Sequence, residues 1–207
     1  MGGFKMEKAD CLKHRKSSVV IAVQRPDGSP VSKREVEIRQ TGHSFLFGCG
    51  AFETLNITDS DSGPEKRAFY EERMEKWLKL FNYATLPFYW GQFEASEGNT
   101  NTEAVRRAAL WLKERGVILK GHPLCWHTQT APWLLELTNR DILEKQLARI
   151  RREVTEFKGL IDMWDVINEV VIMPVFDKYD NGITRICKEL GRVQLVSDLS
   201  LIHISEP

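Results

Sequence analysis

Residues 160–171 read Leu-Ile-Asp-Met-Trp-Asp-Val-Ile-Asn-Glu-Val-Val, and the rest of the chain is best understood outward from them. Apolar side chains, rich in β-branched types, run from Ile161 to Ile167, as in a strand buried on both faces. The polar pair Asn168 and Glu169 follows at its carboxyl end, which in a barrel of parallel strands is the end that carries chemistry. Packing beside Trp164 would desolvate the Glu169 carboxyl, raise its pKa toward neutrality and suit it to general acid work. The plainer alternative is a pair that caps the strand and faces water.

Upstream, Leu143, Leu147, Ile150, Val154 and Phe157 recur at helical spacing after the start signal Thr138-Asn139-Arg140-Asp141. Arg149, Arg151 and Arg152 are interleaved with that stripe and read as its solvated face. Val117 to Leu119 begins a further strand, whose mouth holds His122, Trp126, His127 and Gln129. Before it, Thr100-Asn101-Thr102-Glu103 carries a capping-box signature ahead of the buried face Val105, Ala108, Ala109 and Leu112. Asn82 to Trp90 reads as the preceding strand, and Ser62-Gly63-Pro64-Glu65 opens a helix with the stripe Tyr70, Met74, Trp77 and Phe81. His43 to Ala51 reads as the first strand. Beyond Glu169 come a loop, Met173 to Asp180, and a helix with Ile183, Ile186, Cys187 and Leu190 on one side, ended by Gly191.

Strand and helix thus alternate four times, which predicts an α/β fold with a parallel sheet. A complete (β/α)8 TIM barrel takes about 250 residues, so the expectation is its N-terminal half, about four βα units. Ahead of it, Val19, Ile21 and Val23, the turn Pro26-Asp27-Gly28, and Val36 and Ile38 predict a short antiparallel β-hairpin. So short a segment has too little core to stand alone, which favours a packing appendage over a small binding module. The expected organisation is a polar segment at 1–17, the hairpin at 18–42, the partial barrel at 43–198 and a separate tail at 199–207.

With 29 acidic and 29 basic side chains among 207 residues, the chain has no basic footprint for nucleic acid or an anionic membrane. No apolar run approaches the roughly 18 residues of a membrane span. Met1 to Ser17 shows no apolar signal region, so the sequence by itself reads as cytoplasmic, with export of a longer parent still open. Cys11, Cys49, Cys125 and Cys187 are widely spaced, without a Cys-x-x-Cys pair, and read as reduced, mostly buried thiols.

The run Trp-Asp-Val-Ile-Asn-Glu (164–169), with Gly-His-Pro-Leu-Cys-Trp-His-Thr-Gln (121–129) before it, resembles the two N-terminal signatures of glycoside hydrolase family 10, most of whose members are endo-1,4-β-xylanases. The resemblance covers roughly residues 43 to 196 and implies a polysaccharide or oligosaccharide substrate and no cofactor. It makes Glu169 the acid/base and Asn168 the contact to the sugar 2-hydroxyl. His122 and Gln129 would hydrogen-bond the sugar at the cleavage site, Trp126 would wall it, and Trp90 matches a binding tryptophan. The chain departs from the family at the second strand, where a Glu-Asn-x-Met-Lys-Trp run gives way to Leu-Pro-Phe-Tyr-Trp (86–90). Phe88 and Tyr89 there offer aromatic faces to a sugar or else belong to the core, and the glycan itself stays open.

Family members retain anomeric configuration with two carboxylates about 5 to 5.5 Å apart. The family nucleophile lies on the seventh strand in a Thr-Glu-x-Asp-like motif that no carboxylate of this chain matches, Glu94 and Glu97 included. The chain is therefore expected to be an incomplete and inactive piece of a hydrolase. Two other readings stay in play, a half-barrel that binds sugar through Trp90, Trp126 and Trp133 without cleaving it, and a barrel glycosidase acting on another β-glycan. A metal site is disfavoured, because His122 and His127 are an odd number of residues apart and point to opposite faces of an extended segment. Residues 199–207, Leu-Ser-Leu-Ile-His-Ile-Ser-Glu-Pro, resemble the translation of a transposon-end sequencing adapter and carry no helical stripe, which predicts a non-native tail.

Overall fold

The structure, a computed structural model, describes residues 16–171 and 180–200. It divides into a first unit ending at Ser44 and a second beginning at Phe45.

In the first unit the predicted hairpin is reduced to its turn. Arg25 N–H donates to Ser29 O at 2.8 Å and Val31 N–H to Val23 O at 2.9 Å, around a single antiparallel bridge between Gln24 and Pro30. No ladder extends from it among the described residues, and Val19, Val20, Ile21, Val36 and Ile38 are exposed, Val20 at 95%. Alternation of apolar residues creates a strand only where one face is buried, and here neither face is.

The second unit contains four parallel strands in the order β1-β2-β3-β4: Gly48–Gly50, Tyr83–Pro87, Ile118–His122 and Met163–Trp164. Helices α1 (Glu53–Thr58), α2 (Pro64–Leu78), α3 (Trp90–Phe93), α4 (Thr102–Lys113), α5 (Asn139–Glu156), α6 (Gly182–Leu190) and α7 (Arg192–Ser200) connect or follow them. This is the βα alternation of half a (β/α)8 barrel.

The strands are shorter than expected. β1 begins at Gly48 rather than His43, leaving Phe45 and Phe47 exposed. Gly48 itself is obligatory, because a Cβ there would lie 1.6 Å from the Tyr83 carbonyl oxygen on β2. β4 is half-buried where burial on both faces was expected, because among the described residues it is an edge strand whose outer side meets no further strand of the sheet. Its Trp164 indole lies across β3 at Gly121, where a Cβ would come within 2.2 Å of the ring.

The helices match their stripes more closely. Val105, Ala108, Ala109 and Leu112 of α4, and Ile183, Ile186 and Cys187 of α6, are buried. Thr138 caps α5 by accepting from Asp141 N–H, and Asn181 caps α6 by accepting from Thr184 N–H, each satisfying an amide left over by the helix start. The capping boxes predicted from Ser62 and from Thr100 are not made, since Gly63 and Asn101 hold those cap positions without a side-chain bond.

Arg149 is the main correction on α5. Expected on a solvated face, it is 1% exposed, and its guanidinium donates to the carbonyls of Phe88 and Leu124, just past β2 and β3. Burial pulls its pKa down to about 10, which still leaves it cationic at neutral pH. At the far end, α7 runs through Ser200 with Leu199 fully buried, so a helix enters the stretch expected to be a separate tail; residues 201–207 and most of the predicted 173–180 loop lie outside the described residues. None of the helices among the described residues is long and apolar enough to cross a membrane.

Candidate active site

The mouth of the sheet is built where β3 and β4 run out. Gly121 pairs with Trp164, and four residues later Cys125 pairs with Ile167, three residues on, so the β3 side carries one extra residue. The extra residue falls around Pro123, which has no N–H to give to a ladder. Pairing then resumes, with Leu124 N–H to Asp165 O at 3.0 Å, Cys125 N–H to Val166 O at 2.8 Å and Asn168 N–H to Cys125 O at 2.9 Å. These bonds bring the 121–129 and 164–169 motifs side by side.

Glu169 sits at φ +53°, in the left-handed region. That conformation costs a residue with a side chain about 1–3 kcal/mol and persists only where surrounding bonds impose it. The Trp126 indole N–H donates to the Glu169 carboxylate at 2.8 Å, and the His127 Nε2 lies 3.9 Å away. The carboxylate is 40% exposed, and the packing expected against Trp164 is replaced by this polar contact. Trp164 instead meets the Phe88 ring at 4.8 Å, inside the core.

His127 is fully buried, and burial holds its imidazole below the ordinary histidine range, with the Glu169 charge acting in the opposite direction. Its carbonyl accepts from the Asn181 side chain at the head of α6.

His122 Nδ1 lies 2.7 Å from Asp165 Oδ2, and Lys120 Nζ is 2.7 Å from the same oxygen. Burial works to raise the Asp165 carboxyl, but the Lys120 and His122 hydrogen bonds outweigh it and hold its pKa below the usual value. Asp165 and Lys120 were not picked out from the sequence, although an acidic residue inside an apolar strand run is a signal in itself.

Not every expected residue joins the group. Trp90 is 3% exposed at the start of α3, its indole N–H donating to Glu94 at 3.0 Å and its ring edge-on to Trp133. A buried ring satisfied in this way is core, which corrects its assignment to substrate binding. Gln129 is half-buried on the segment after β3, and no hydrogen bond ties it to the others among the described residues. Asn168 is half-buried beside Glu169, held by its own backbone N–H. The described residues include no cluster of His, Cys, Asp or Glu able to hold a metal ion. Of the described thiols, Cys125 and Cys187 are buried and Cys49 is exposed.

The four-stranded mouth with a carboxylate at its open end has the architecture of half a (β/α)8 barrel. The family model described as "Glycosyl hydrolase family 10" matches residues 73–182, more than half of the chain, and the chain belongs to that family. It is 27% identical over 169 residues to endo-1,4-beta-xylanase 5 of Arabidopsis thaliana, covering 80% of this chain and 28% of the relative. Among solved structures it resembles a psychrophilic family 10 endo-beta-1,4-xylanase, with a TM-score of 0.57 and 20% identity over 79% of this chain and 51% of the other. It also resembles xylanase 10B from Thermotoga maritima, with a TM-score of 0.54 and 24% identity over 76% and 49%. The chain thus spans about half of these solved barrels and less of the plant relative.

Proposed function

We propose that this chain carries the acid/base side of the active site of a retaining, endo-acting glycoside hydrolase that cleaves β-1,4-linked xylan. The observation that carries the reading is Glu169, held in a left-handed conformation at the sheet mouth, with its carboxylate on the Trp126 indole N–H and still open to an incoming ligand. The protonated carboxyl gives its proton to the glycosidic oxygen as that oxygen leaves C1. A second carboxylate, which the described residues do not place beside it, bonds to C1, and ionised Glu169 then takes a proton from the water that releases the sugar. Asn168 contacts the 2-hydroxyl, while His122, Trp126 and Gln129 line the sugar site. Asp165 fixes the His122 ring through Nδ1 and leaves Nε2 for the substrate.

Sugar binding without turnover is the second reading, favoured because Asp165, the other carboxylate at this mouth, is engaged by Lys120 and His122. Release of reducing ends from β-1,4-xylan, measured in the longest natural form of the protein, separates the two. Glu169→Gln is expected to lower kcat by about 10²- to 10⁴-fold. Unchanged turnover in that variant would remove Glu169 from the mechanism, and glycan affinity with no wild-type turnover would establish the binding reading.

A further inference from the structure

Where β2 ends, the chain has aromatic residues in place of the polar run that the family resemblance led one to expect, and the structure separates their roles. Phe88 is fully buried, its ring stacked on Phe93 at 5.1 Å and edge-on to Phe157 and Trp164. Tyr89 is only half-buried and turns toward the site. Its ring lies 5.6 Å from His122, 5.7 Å from Trp126 and 6.2 Å from Phe52, which is itself 37% exposed. Trp126 in turn reaches Glu169, so an unbroken series of contacts joins Phe52, Tyr89 and Trp126 to the candidate acid/base.

The backbone before Tyr89 is pinned on both sides. Phe88 N–H donates to His122 O at 2.7 Å, and Phe88 O accepts from the buried Arg149. The Tyr89 hydroxyl has no hydrogen-bond partner among the described residues, and burial pushes its pKa up, so it stays a neutral phenol.

We propose that Tyr89, extended by Phe52, is the specificity-determining shelf of this site and takes the C–H face of one pyranose ring of a β-1,4-linked chain whose ring substituents are all equatorial. An aromatic face reads the flat array of axial C–H groups and not the hydroxyl pattern or the substituent at C5. Xylo- and gluco-configured rings present the same C–H face and are accepted alike. The face taken is the one that bears the axial C2 and C4 hydrogens, and an axial hydroxyl, at C2 in a manno ring or C4 in a galacto ring, interrupts it. The inference rests on the glycan reading of the Glu169 site and adds the residue that selects the sugar.

The test is calorimetric titration of the 207-residue chain with xylotetraose, cellotetraose and mannotetraose. Wild type is expected to bind the first two within about threefold of each other and mannotetraose about tenfold more weakly, the scale of one lost aromatic contact. Tyr89→Ala weakens xylotetraose and cellotetraose by about tenfold, whereas Tyr89→Phe, which keeps the face and loses the hydroxyl, stays within about twofold of wild type. Should Tyr89→Ala lose its cooperative melt, Tyr89→Leu and Phe52→Ala carry the same expected direction. Wild-type affinity in Tyr89→Ala, or equal weakening in Tyr89→Phe, overturns the shelf and leaves the glycan reading standing. Failure of wild type to bind any of the three sugars overturns both.

Discussion

Among the described residues two glutamate carboxylates accept an indole N–H: Glu94 from Trp90 at 3.0 Å and Glu169 from Trp126 at 2.8 Å. Their surroundings then diverge. The Glu94 side chain is 3% exposed, and it also accepts from Arg152 at 2.6 Å and from Gly98 N–H at 2.9 Å. Burial pushes its pKa up, but the Arg152 and Gly98 bonds win and hold it low, so it stays an anion whose lone pairs are taken. Glu169 has one strong donor and an open side. A carboxylate that is to gain and lose a proton needs a free lone pair and a route to the substrate, and Glu169 alone of the two has both. A tryptophan partner therefore does not mark a site; the number of remaining contacts does.

The largest stability effect is expected where the two regions are joined. Arg149 belongs to the buried layer around Glu94 and Trp90, its guanidinium 5.0 Å from the Trp90 ring, yet it grips the Phe88 and Leu124 carbonyls that carry Tyr89 and Trp126 into the mouth. Arg149→Met leaves two buried carbonyls short of a charged donor, although Gln146 still reaches Leu124 O at 3.1 Å. A loss of about 3 kcal/mol or more in urea unfolding follows. A loss below about 1 kcal/mol would mean that the mouth is held by its strand pairing alone.

Next comes the glutamate pair itself. Glu94→Gln turns an amide toward Arg152 in a buried setting and is expected to cost about 2–3 kcal/mol. Glu169→Gln keeps an acceptor for Trp126 at an exposed position and is expected to change stability by no more than about 0.5 kcal/mol. Equal stability losses in the two variants would erase the distinction between a structural and a working carboxylate.

The same contrast explains what could be read from the sequence. That the 121–129 and 164–169 motifs adjoin was legible because they sit at strand ends, and a parallel sheet places consecutive strand ends together. Trp90 was misread because a motif match gives the order of residues along the chain and not the direction of a ring at the first turn of α3. Arg149 was misread for a related reason. Charge spacing on α5 suggests a wet face, and the need to satisfy carbonyls at 88 and 124, distant in sequence, has no local signature. The hairpin shows the converse failure, with local alternation present and nothing to bury it. Tyr89 was visible as an aromatic but undecided between core and site, and only the structure shows its ring half-buried beside His122 and Trp126.

The smallest effect expected, and the most discriminating about Glu169, is in the acid limb. His127 is buried with its pKa held below the ordinary value of 6.5. A histidine depressed in the folded state binds its proton more readily when unfolded. Its contribution to stability is therefore complete above pH 6.5 and declines as pH falls below that value toward the folded pKa. One group gives a slope of at most about 1.4 kcal/mol per pH unit. Glu169 opposes the depression, so removing its charge deepens it. Glu169→Gln should thus match wild type in urea unfolding at pH 8 and fall behind it between pH 6.5 and 5, while His127→Gln loses that segment of the pH dependence. Asp165 acts separately and lower. Its depressed carboxyl contributes stability above its ordinary value of 3.8 that is lost as pH falls through the folded pKa, while Glu153, whose carboxyl burial raises above 4.5, contributes equally in wild type and Glu169→Gln, so the difference between the two between pH 5 and 6.5 reports the histidine. If wild type and Glu169→Gln track each other throughout that window, the two side chains are not electrostatically coupled, and the carboxylate is held by Trp126 alone.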